Sequence, residues 1–504
     1  MNLQASTSSA NTRVSDTREV RALASRARGQ KAIFGFGWSA LNSGSAMLIA
    51  AMVFVITSRL LGPEVFGTVA LAISVITFIG CAAPSAFGEA LIQRAQIREE
   101  HLDTVFWLCM AAGVVLYALI VMLSGVVAEL SSQPILASLL PFIGLKLVFD
   151  LAAVVPQALV IRQMQFKYIA ARTAIGNSIG GVVCVAMALN GYGLWALAMA
   201  PVVTSLVSLV ILIWAANWRP KLQLRRDALR DLWRFGIFSS GNHSLHVINL
   251  DQLILGLLAG PAMLGLYFMG KRLTELLSGL SAQALYPVCT VFFASIQTRP
   301  DQHIPAFQNA MRVSTLLAFA LFGGLFLLAE SVIPLALGSH WQPAIPAVQA
   351  FAVIGFLGGL RVAVSSLANG LGRADIWFAF ELLRYALVVI AIVALVRQGL
   401  EAVMLGIVLA NLAVIPGCFI IARKLTGVSA AQYLGVLATP LFATAAMAGA
   451  ILLMPLLLSE QNPVLVLLLQ VLAGSAAYLL TAFSLSGHEI NTLKQTFREG
   501  KAHD

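Results

Sequence analysis

The sequence predicts an all-α polytopic membrane protein with about 14 transmembrane helices, which form two pseudo-symmetric six-helix lobes and two C-terminal helices. Three observations predict this class. Hydrophobic residues make up 59% of the 504 residues, charged residues make up only 11%, and the mean hydropathy is +0.88. A water-soluble protein of this length needs more polar surface than that. Long apolar runs fill the chain, and residues 36–67 are echoed at residues 235–265.

The apolar runs are long enough to cross a membrane. A hydrocarbon core about 30 Å thick requires about 20 apolar residues in a helix. In chain order the predicted spans are 34–57, 67–90, 104–128, 134–159, 169–189, 194–216, 235–258, 263–294, 307–337, 344–370, 375–396, 401–422, 431–457 and 463–485.

The internal repeat relates spans one to six to spans seven to twelve. Phe36-Gly37 opens an apolar run that ends at Gly62-Pro63, and Phe235-Gly236 opens one that ends at Gly260-Pro261. Because six spans return the chain to the same side of the membrane, the two halves are related by an axis along the membrane normal. We interpret the two Gly-Pro pairs as tight turns.

The longest basic loop, from Trp218 to Arg234, marks the boundary between the halves. The predicted organisation is a disordered basic cytosolic tail (1–30), an N-lobe (31–217, spans 1–6), a cytosolic inter-lobe linker (218–234), a C-lobe (235–425, spans 7–12), spans 13–14 (426–487) and a cytosolic tail (488–504).

The distribution of Lys and Arg predicts the orientation. Cationic loops resist translocation, and most of the 32 basic residues fall on the side that holds both termini, whereas the loops of the other side hold only Arg59 and Arg397. We therefore predict a multi-pass membrane protein with both termini in the cytosol. The net charge of +10 is explained by this topology and by anionic inner-leaflet lipids, so it does not indicate nucleic-acid binding.

Three motifs near the N-terminus resemble a known family. They are Ser58-Arg59-Leu60-Leu61-Gly62-Pro63-Glu64-Val65-Phe66-Gly67 after the helix that holds Trp38, then Ala90-Leu91-Ile92-Gln93-Arg94, and then Glu100-His101-Leu102-Asp103-Thr104-Val105-Phe106-Trp107. In these motifs the chain resembles the Wzx-type polysaccharide repeat-unit flippases. The likeness is greatest to the colanic-acid and succinoglycan branch of the multidrug/oligosaccharidyl-lipid/polysaccharide (MOP) exporter superfamily, and it covers residues 30–425.

The resemblance implies both an architecture and a function. It implies a V-shaped transporter with two lobes that work by alternating access and no cofactor. It places the protein in the bacterial inner (plasma) membrane. Its substrate would be an undecaprenyl-pyrophosphate-linked oligosaccharide, moved from the inner to the outer leaflet for exopolysaccharide or lipopolysaccharide export. It also implies a polysaccharide polymerase and a chain-length regulator as partners.

Charged residues within the predicted spans are the first candidates for a substrate site, because an ionisable group in hydrocarbon is costly and persists where it lines a wet cavity or has a partner. They are Glu89, Lys146, Asp150, Asp251, Lys271, Arg272, Glu275, Arg361, Glu381 and Arg384. The spacings of Lys146 with Asp150, Lys271 with Glu275 and Glu381 with Arg384 also allow simple neutralisation within one helix.

Arg361 has no opposite charge within a helical turn, so it is the leading candidate for a cation that binds a pyrophosphate. Lys271, Arg272 and Lys146 are further substrate-binding candidates. Snorkelling of these long side chains toward an interface is the alternative.

Span seven carries a polar stripe that includes Asn242, His246 and Asn249. Such a stripe suits sugar hydroxyls in a cavity between the lobes, and hydrogen bonding between helices explains it equally well. His243 and His246 are three residues apart without a suitable set of further ligands, so we predict no metal site.

Three carboxylates are candidates for ion coupling: Asp251, Glu275 and Glu89. A carboxylate at membrane depth can bind and release a proton or a cation as its surroundings change.

Two other function classes compete with lipid-linked oligosaccharide flipping. An ion-coupled antiporter of small drugs or metabolites would share the fold, although cationic drugs favour acidic cavities. A membrane enzyme is disfavoured because the outer loops are short and no nucleotide, metal or nucleophile motif is present in the sequence.

Overall fold

A computed structural model describes residues 49–94, 96–223, 225, 227, 249–457 and 462–500, with side chains through residue 485. Helices make up nearly all of this part of the chain, and it contains no strand, which confirms the predicted all-α class. The predicted N-terminal tail and most of the inter-lobe linker lie outside the described residues.

The first half of the chain contains eight described helices. They are α1 (Ile49–Leu60), α2 (Pro63–Gly80), α3 (Phe87–Gln93), α4 (Glu99–Leu130), α5 (Leu136–Ala152), α6 (Val154–Arg162), α7 (Phe166–Leu189) and α8 (Leu194–Ala216).

Eight more helices follow residue 249. They are α9 (Leu250–Leu280), α10 (Ala282–Ser295), α11 (His303–Val332), α12 (Ile345–Gly370), α13 (Ala374–Leu395), α14 (Leu400–Thr426), α15 (Ala430–Leu457) and α16 (Pro463–Gly500). A π-helical turn, Ile333–Leu337, and a 3-10 helix, Ser339–Ala344, connect α11 to α12.

Twelve helical stretches of the described chain are long and apolar enough to cross a membrane, and α1 and α10 are shorter apolar helices. The predicted spans one (34–57) and seven (235–258) lie partly outside the described residues. The described end of span seven continues into span eight as α9, so fourteen spans remain a prediction.

Glycine and proline shorten several predicted spans. Span two was predicted to reach residue 90, but α2 ends at Gly80 and a turn containing Pro84 precedes α3. Proline lacks an amide hydrogen and ends or kinks a helix. The predicted turn at Gly260-Pro261 is present as a break inside α9, where Gly260 adopts φ 80° and ψ 178°.

The two halves meet along α2 and α9. These two helices have the most extensive packing of any pair in the described chain, and they share a core with α5 and α12. At the start of α2 and just after the Gly260 break in α9, a methyl group at Gly67 would overlap the carbonyl of Pro261, and one at Gly265 would overlap the carbonyl of Pro63. We call the end of the helix bundle that contains this contact the Gly–Pro end.

The last two helices attach to the second half. Both α15 and α16 pack on α11, and the Tyr478 hydroxyl donates a hydrogen bond of 2.8 Å to the Leu316 carbonyl. Since lipid chains are as apolar as leucine, such close packing and hydrogen bonds hold helices together in a membrane.

Candidate functional site

The two segments of α9 fold back on each other and enclose a buried ion pair. Asp251, from the segment before the Gly260 break, accepts hydrogen bonds from Lys271 Nζ at 2.7 Å and from the Tyr267 hydroxyl at 2.5 Å. Lys271 also donates to Asn249 at 3.0 Å. The side chains of Asp251 and Lys271 are only 14% and 18% exposed, so the pair lies in a medium where charge interactions are strong.

This pair, with Tyr267 and Asn249, forms what we call the α9 cluster. It lies beside the contact between the two halves, at the point where the described part of the first α9 segment begins. From the Gly–Pro end inward, Leu71 packs on Gly256, and the Ser74 hydroxyl then donates to Gln252 at 3.2 Å. Asp251 is the neighbour of Gln252 along the chain. With a rise of 1.5 Å per residue, it lies roughly 13 Å along the helix from the Gly260 break.

The partner of Lys271 differs from the one that the spacing allowed. Glu275, one turn further along α9, pairs instead with Arg272 at 3.6 Å, and both side chains are more than a third exposed. Lys271 turns toward the preceding helical segment because the Asp251 carboxylate is buried there, and Tyr267, on the segment of Lys271 itself, donates to the same carboxylate.

The second half holds another buried network, which we call the Arg–Glu–Arg cluster. Arg361 of α12 pairs with Glu381 of α13 at 3.1 Å, and Arg384 pairs with the same carboxylate at 2.7 Å. Arg384 also lies 3.5 Å from the side-chain oxygen of Asn411 on α14. Arg361 therefore has an opposite charge after all, supplied by a neighbouring helix and not by its own.

Two guanidinium groups thus share one carboxylate inside the second half. The Nε atom of Arg361 is buried and has no hydrogen-bond partner among the described residues. The cluster carries one positive charge in excess, since Arg is always protonated in proteins.

The first half holds a smaller charged site next to a cavity. Lys146 and Asp150 form an ion pair one helical turn apart on α5, as their spacing predicted, and both side chains are about two-fifths exposed. They line a cavity of about 250 Å³ between α2, α5 and α8. Asp150 also acts electrostatically on Arg172 of α7, whose buried Nε finds no hydrogen-bond partner in the described part of the chain.

The comparison with protein families decides the identity of the chain. Residues 56–346, more than half of the chain, match the family described as polysaccharide biosynthesis protein. The chain belongs to this family.

Curated relatives cover most of the chain. It is 25% identical to the succinoglycan biosynthesis transport protein ExoT of Rhizobium meliloti over 351 residues, which are 69% of this chain and 71% of that protein. It is 23% identical to the lipopolysaccharide biosynthesis protein WzxC of Escherichia coli over 419 residues, which are 80% and 84% of the two chains. These matches confirm the resemblance that the N-terminal motifs indicated.

Two solved structures show the same fold. The inward closed conformation of the lipid II flippase MurJ superposes with a TM-score of 0.71 at 13% identity, covering 91% of this chain and 100% of MurJ. An inward-facing multidrug resistance MATE transporter of the MOP superfamily superposes with a TM-score of 0.58 at 19% identity, covering 75% and 94%. The polysaccharide biosynthesis protein described here thus has the MOP transporter fold.

The remaining candidates from the sequence are Asn242, His246, Asn249 and Glu89, and of these Asn249 belongs to the α9 cluster. Asn242 and His246 lie outside the described residues, so only Asn249 represents the predicted polar stripe, and it accepts from Lys271 within the protein. Glu89 is exposed on α3, beyond the break that ends α2, so it does not lie within a long span. Its part in ion coupling stays a prediction.

Sequence reasoning missed Tyr267, Asn411 and Arg172. Tyr267 is 1% exposed and lies four residues before Lys271, hence on the same helix face, which is the signal that could have found it. Asn411 is 2% exposed in an apolar helix, where a buried amide needs a partner. Arg172 lies within the predicted span 169–189, but it was counted with the basic residues of the cytosolic side and not with the charges inside the spans.

Proposed function

We propose that this protein flips an undecaprenyl-pyrophosphate-linked oligosaccharide repeat unit across the inner membrane for exopolysaccharide or lipopolysaccharide export. The names of its relatives, a succinoglycan transport protein and a lipopolysaccharide biosynthesis protein, support this substrate class. The fold shared with the lipid II flippase MurJ supports a transporter that handles lipid-linked substrates.

The observation that carries the proposal is a positive excess in each half of the membrane-embedded bundle. Among the described residues, Lys146 and Arg172 are near only Asp150, and Arg361 and Arg384 share Glu381. Cations in excess at membrane depth favour an anionic substrate, because an unneutralised charge in a low-dielectric medium attracts its opposite strongly. A pyrophosphate offers the oxygens that guanidinium and ammonium groups bind.

The candidates divide into two kinds by their surroundings. Lys146 borders a cavity and is two-fifths exposed, so it can exchange Asp150 for a phosphate oxygen. Arg361, Lys271 and Arg272 already have protein partners. They act on the substrate through the positive electrostatic field that they add to the pathway, or by exchanging a protein carboxylate for a phosphate oxygen. An antiporter of cationic drugs is less well supported, since this arrangement repels cations.

The orientation follows from the basic residues at the end of the bundle opposite the Gly–Pro end. Arg94, Arg162, Lys221 and Arg423 all lie there, while Arg59 and Arg397 lie at the Gly–Pro end. By the positive-inside rule the Gly–Pro end faces the outside of the inner membrane and both termini are cytosolic. The contact between α2 and α9 then closes the pathway on the outer side.

Asp251 is our candidate for ion coupling. Protonation of its carboxylate would release Lys271 and Tyr267 beside the contact between the two halves, where Ser74 of α2 donates to the neighbouring Gln252. Both segments of α9 would then be free to repack, which is the kind of two-state element that couples an ion to a conformational change. Glu275 and Glu89 are more exposed and are second candidates.

The role of the protein in the cell would be transport without catalysis, alongside a polymerase that consumes the flipped unit and a chain-length regulator. Uphill transport would then draw on an ion gradient or on consumption of the product on the far side.

A complementation experiment tests the proposal. In cells that lack the protein, wild type restores surface polysaccharide, and Lys146→Gln should restore less than the control Lys424→Gln, which removes an exposed charge at the cytosolic end. Equal restoration by both variants at equal protein levels would remove Lys146 from the pathway. An unchanged polysaccharide with altered resistance to small toxic cations would favour the drug antiporter.

A further inference from the structure

The two copies of the internal repeat contact each other through the same positions. In each copy proline begins a helical segment and glycine follows four residues later: Pro63 and Gly67 in α2, Pro261 and Gly265 in α9. Residues four apart lie on one helix face. Each glycine faces the carbonyl of the other copy's proline, so the contact is reciprocal.

The contact is too close for any side chain. The carbonyls of Pro261 and Pro63 lie so near Gly67 and Gly265 that a methyl group at either glycine would overlap backbone atoms. Backbone cannot move aside as the tip of a flexible side chain can. Small residues of this kind allow membrane helices to approach closely. The two halves must therefore separate at this point if either glycine gains a side chain.

A polar latch lies beside the glycine contact. It links the end of α1 to the segment between α11 and α12: Trp341 Nε1 donates to the Ser58 carbonyl at 2.8 Å, His340 Nε2 lies 3.0 Å from the same oxygen, and Arg59 Nε donates to Ala336 at 2.7 Å. Ser58 and Trp341 are fully buried.

The latch and the glycine contact also share an aromatic cluster. Phe66, next to Gly67, packs edge to face on Trp341 with ring centroids 5.4 Å apart. The latch therefore joins the same two halves at the same end of the bundle.

We propose that Gly67 and Gly265 are the residues that close the outer side of the transport pathway, and that the latch of Arg59, His340 and Trp341 holds them closed. The two glycine contacts separate when the pathway opens outward. The assignment of this end to the outside rests on the proposed function. The closing role of the glycines is a property of the fold and is measured without substrate.

The closing role is tested by cysteine accessibility in vesicles. The five natural cysteines are replaced, and Ser74→Cys supplies a reporter that is 2% exposed and lies below the glycine contact, beside Gln252. A membrane-impermeant maleimide is applied to right-side-out vesicles. The reporter should label slowly in the parent, because α2 and α9 cover it.

Gly67→Ala and Gly265→Ala should each raise the labelling rate by about tenfold, since both strain only the closed state and shift the population toward the open one. Their effects should match, because the contact is reciprocal. Gly62→Ala is the control: it lies in the same turn, has φ −81° and has open space around it, so its labelling rate should equal that of the parent.

Three further results decide the proposal. A second reporter, Ser85→Cys, lies in the cavity toward the opposite end and should label more slowly from that side, in inside-out vesicles, when either glycine is replaced. If the glycine variants do not fold, Arg59→Gln, a substitution that adds no bulk at an exposed position, should still raise the labelling rate of the Ser74 reporter.

Labelling of the glycine and Arg59 variants at the parent rate would overturn the proposal, even if the protein proves to be a flippase. Raised labelling in a protein that flips nothing would overturn the proposed function alone.

Discussion

Replacing Asp251 by Asn tests the α9 cluster directly. The substitution keeps the size of the side chain and removes its charge, so the Lys271 ammonium stays buried without its counter-ion. Tyr267 loses a charged acceptor at 2.5 Å, and Lys271 loses one at 2.7 Å. The folded state should be destabilised, and no new steric strain accompanies the loss.

The magnitude follows from the burial of the pair. Breaking a buried ion pair by removing one partner costs about 3 to 5 kcal/mol, and the 14–18% exposure of these side chains places the loss at the lower end, about 3 kcal/mol. For a protein of this size that loss corresponds to a fall of roughly 3 °C in apparent melting temperature. The double variant Asp251→Asn with Lys271→Gln should recover most of it, because replacing both members of a buried pair by neutral groups is often close to neutral.

Two assays separate stability from coupling. Melting of the purified variants in one detergent, at one scan rate, gives the stability series. Flipping of an undecaprenyl-pyrophosphate-linked oligosaccharide in vesicles, with and without an imposed proton or sodium gradient, gives the coupling. The double variant should regain stability but not the dependence of flipping on the gradient, since neither Asn nor Gln titrates. A folded Asp251→Asn variant that retains full gradient-driven flipping would refute the assignment.

Three further predictions concern the other charged sites. Glu381→Gln should lower the free energy of unfolding by roughly 3 kcal/mol, because it leaves two guanidinium groups without their carboxylate, whereas Arg384→Gln should lower it by about 1 kcal/mol, because Glu381 stays paired with Arg361; thermal unfolding in detergent compares the two variants. Lys146→Arg should restore surface polysaccharide in complementation where Lys146→Gln does not, since a guanidinium group can bind a phosphate as an ammonium group does. If neither variant restores the polysaccharide, the site needs an ammonium group. The carboxylate of Glu99 accepts a hydrogen bond from Lys221 and raises the pKa of that ammonium group, yet the pair is exposed, so Lys221→Ala should leave the melting temperature unchanged; a clear fall in melting temperature would mean that this pair holds the start of the inter-lobe linker in place.

The helices were predictable from the sequence because the thickness of the membrane sets the length of each apolar run. Predicted spans such as 344–370 and 431–457 agree with α12 and α15 to within one residue. The breaks were harder to predict, because membrane helices tolerate glycine and proline when neighbouring helices satisfy the backbone. Pro201 and Pro416 lie inside intact helices, whereas the turn containing Pro84 separates two helices.

The partners of the charged residues were predictable only within a helix. Pairing of Lys146 with Asp150 and of Glu381 with Arg384 followed from spacing alone. Arg361 seemed to lack a partner because Glu381 lies 20 residues away on the next helix. Distances between helices depend on how the bundle packs, and the spacing along one helix does not contain that information.

The repeat itself gave the least obvious result. The sequence showed that Gly62-Pro63 and Gly260-Pro261 correspond, and we interpreted both as turns. Their mutual contact depends on the pseudo-two-fold arrangement of the halves. It brings equivalent positions together at the axis, where only glycine fits.

The measurement that tests the central claim most directly is the leaflet distribution of the lipid-linked oligosaccharide after the protein is depleted from the cells that make it. The account predicts that the complete undecaprenyl-pyrophosphate-linked unit accumulates on the cytosolic leaflet while surface polysaccharide is lost, and that wild-type protein reverses both effects. A pool of unchanged size and sidedness, with surface polysaccharide intact, would contradict the account.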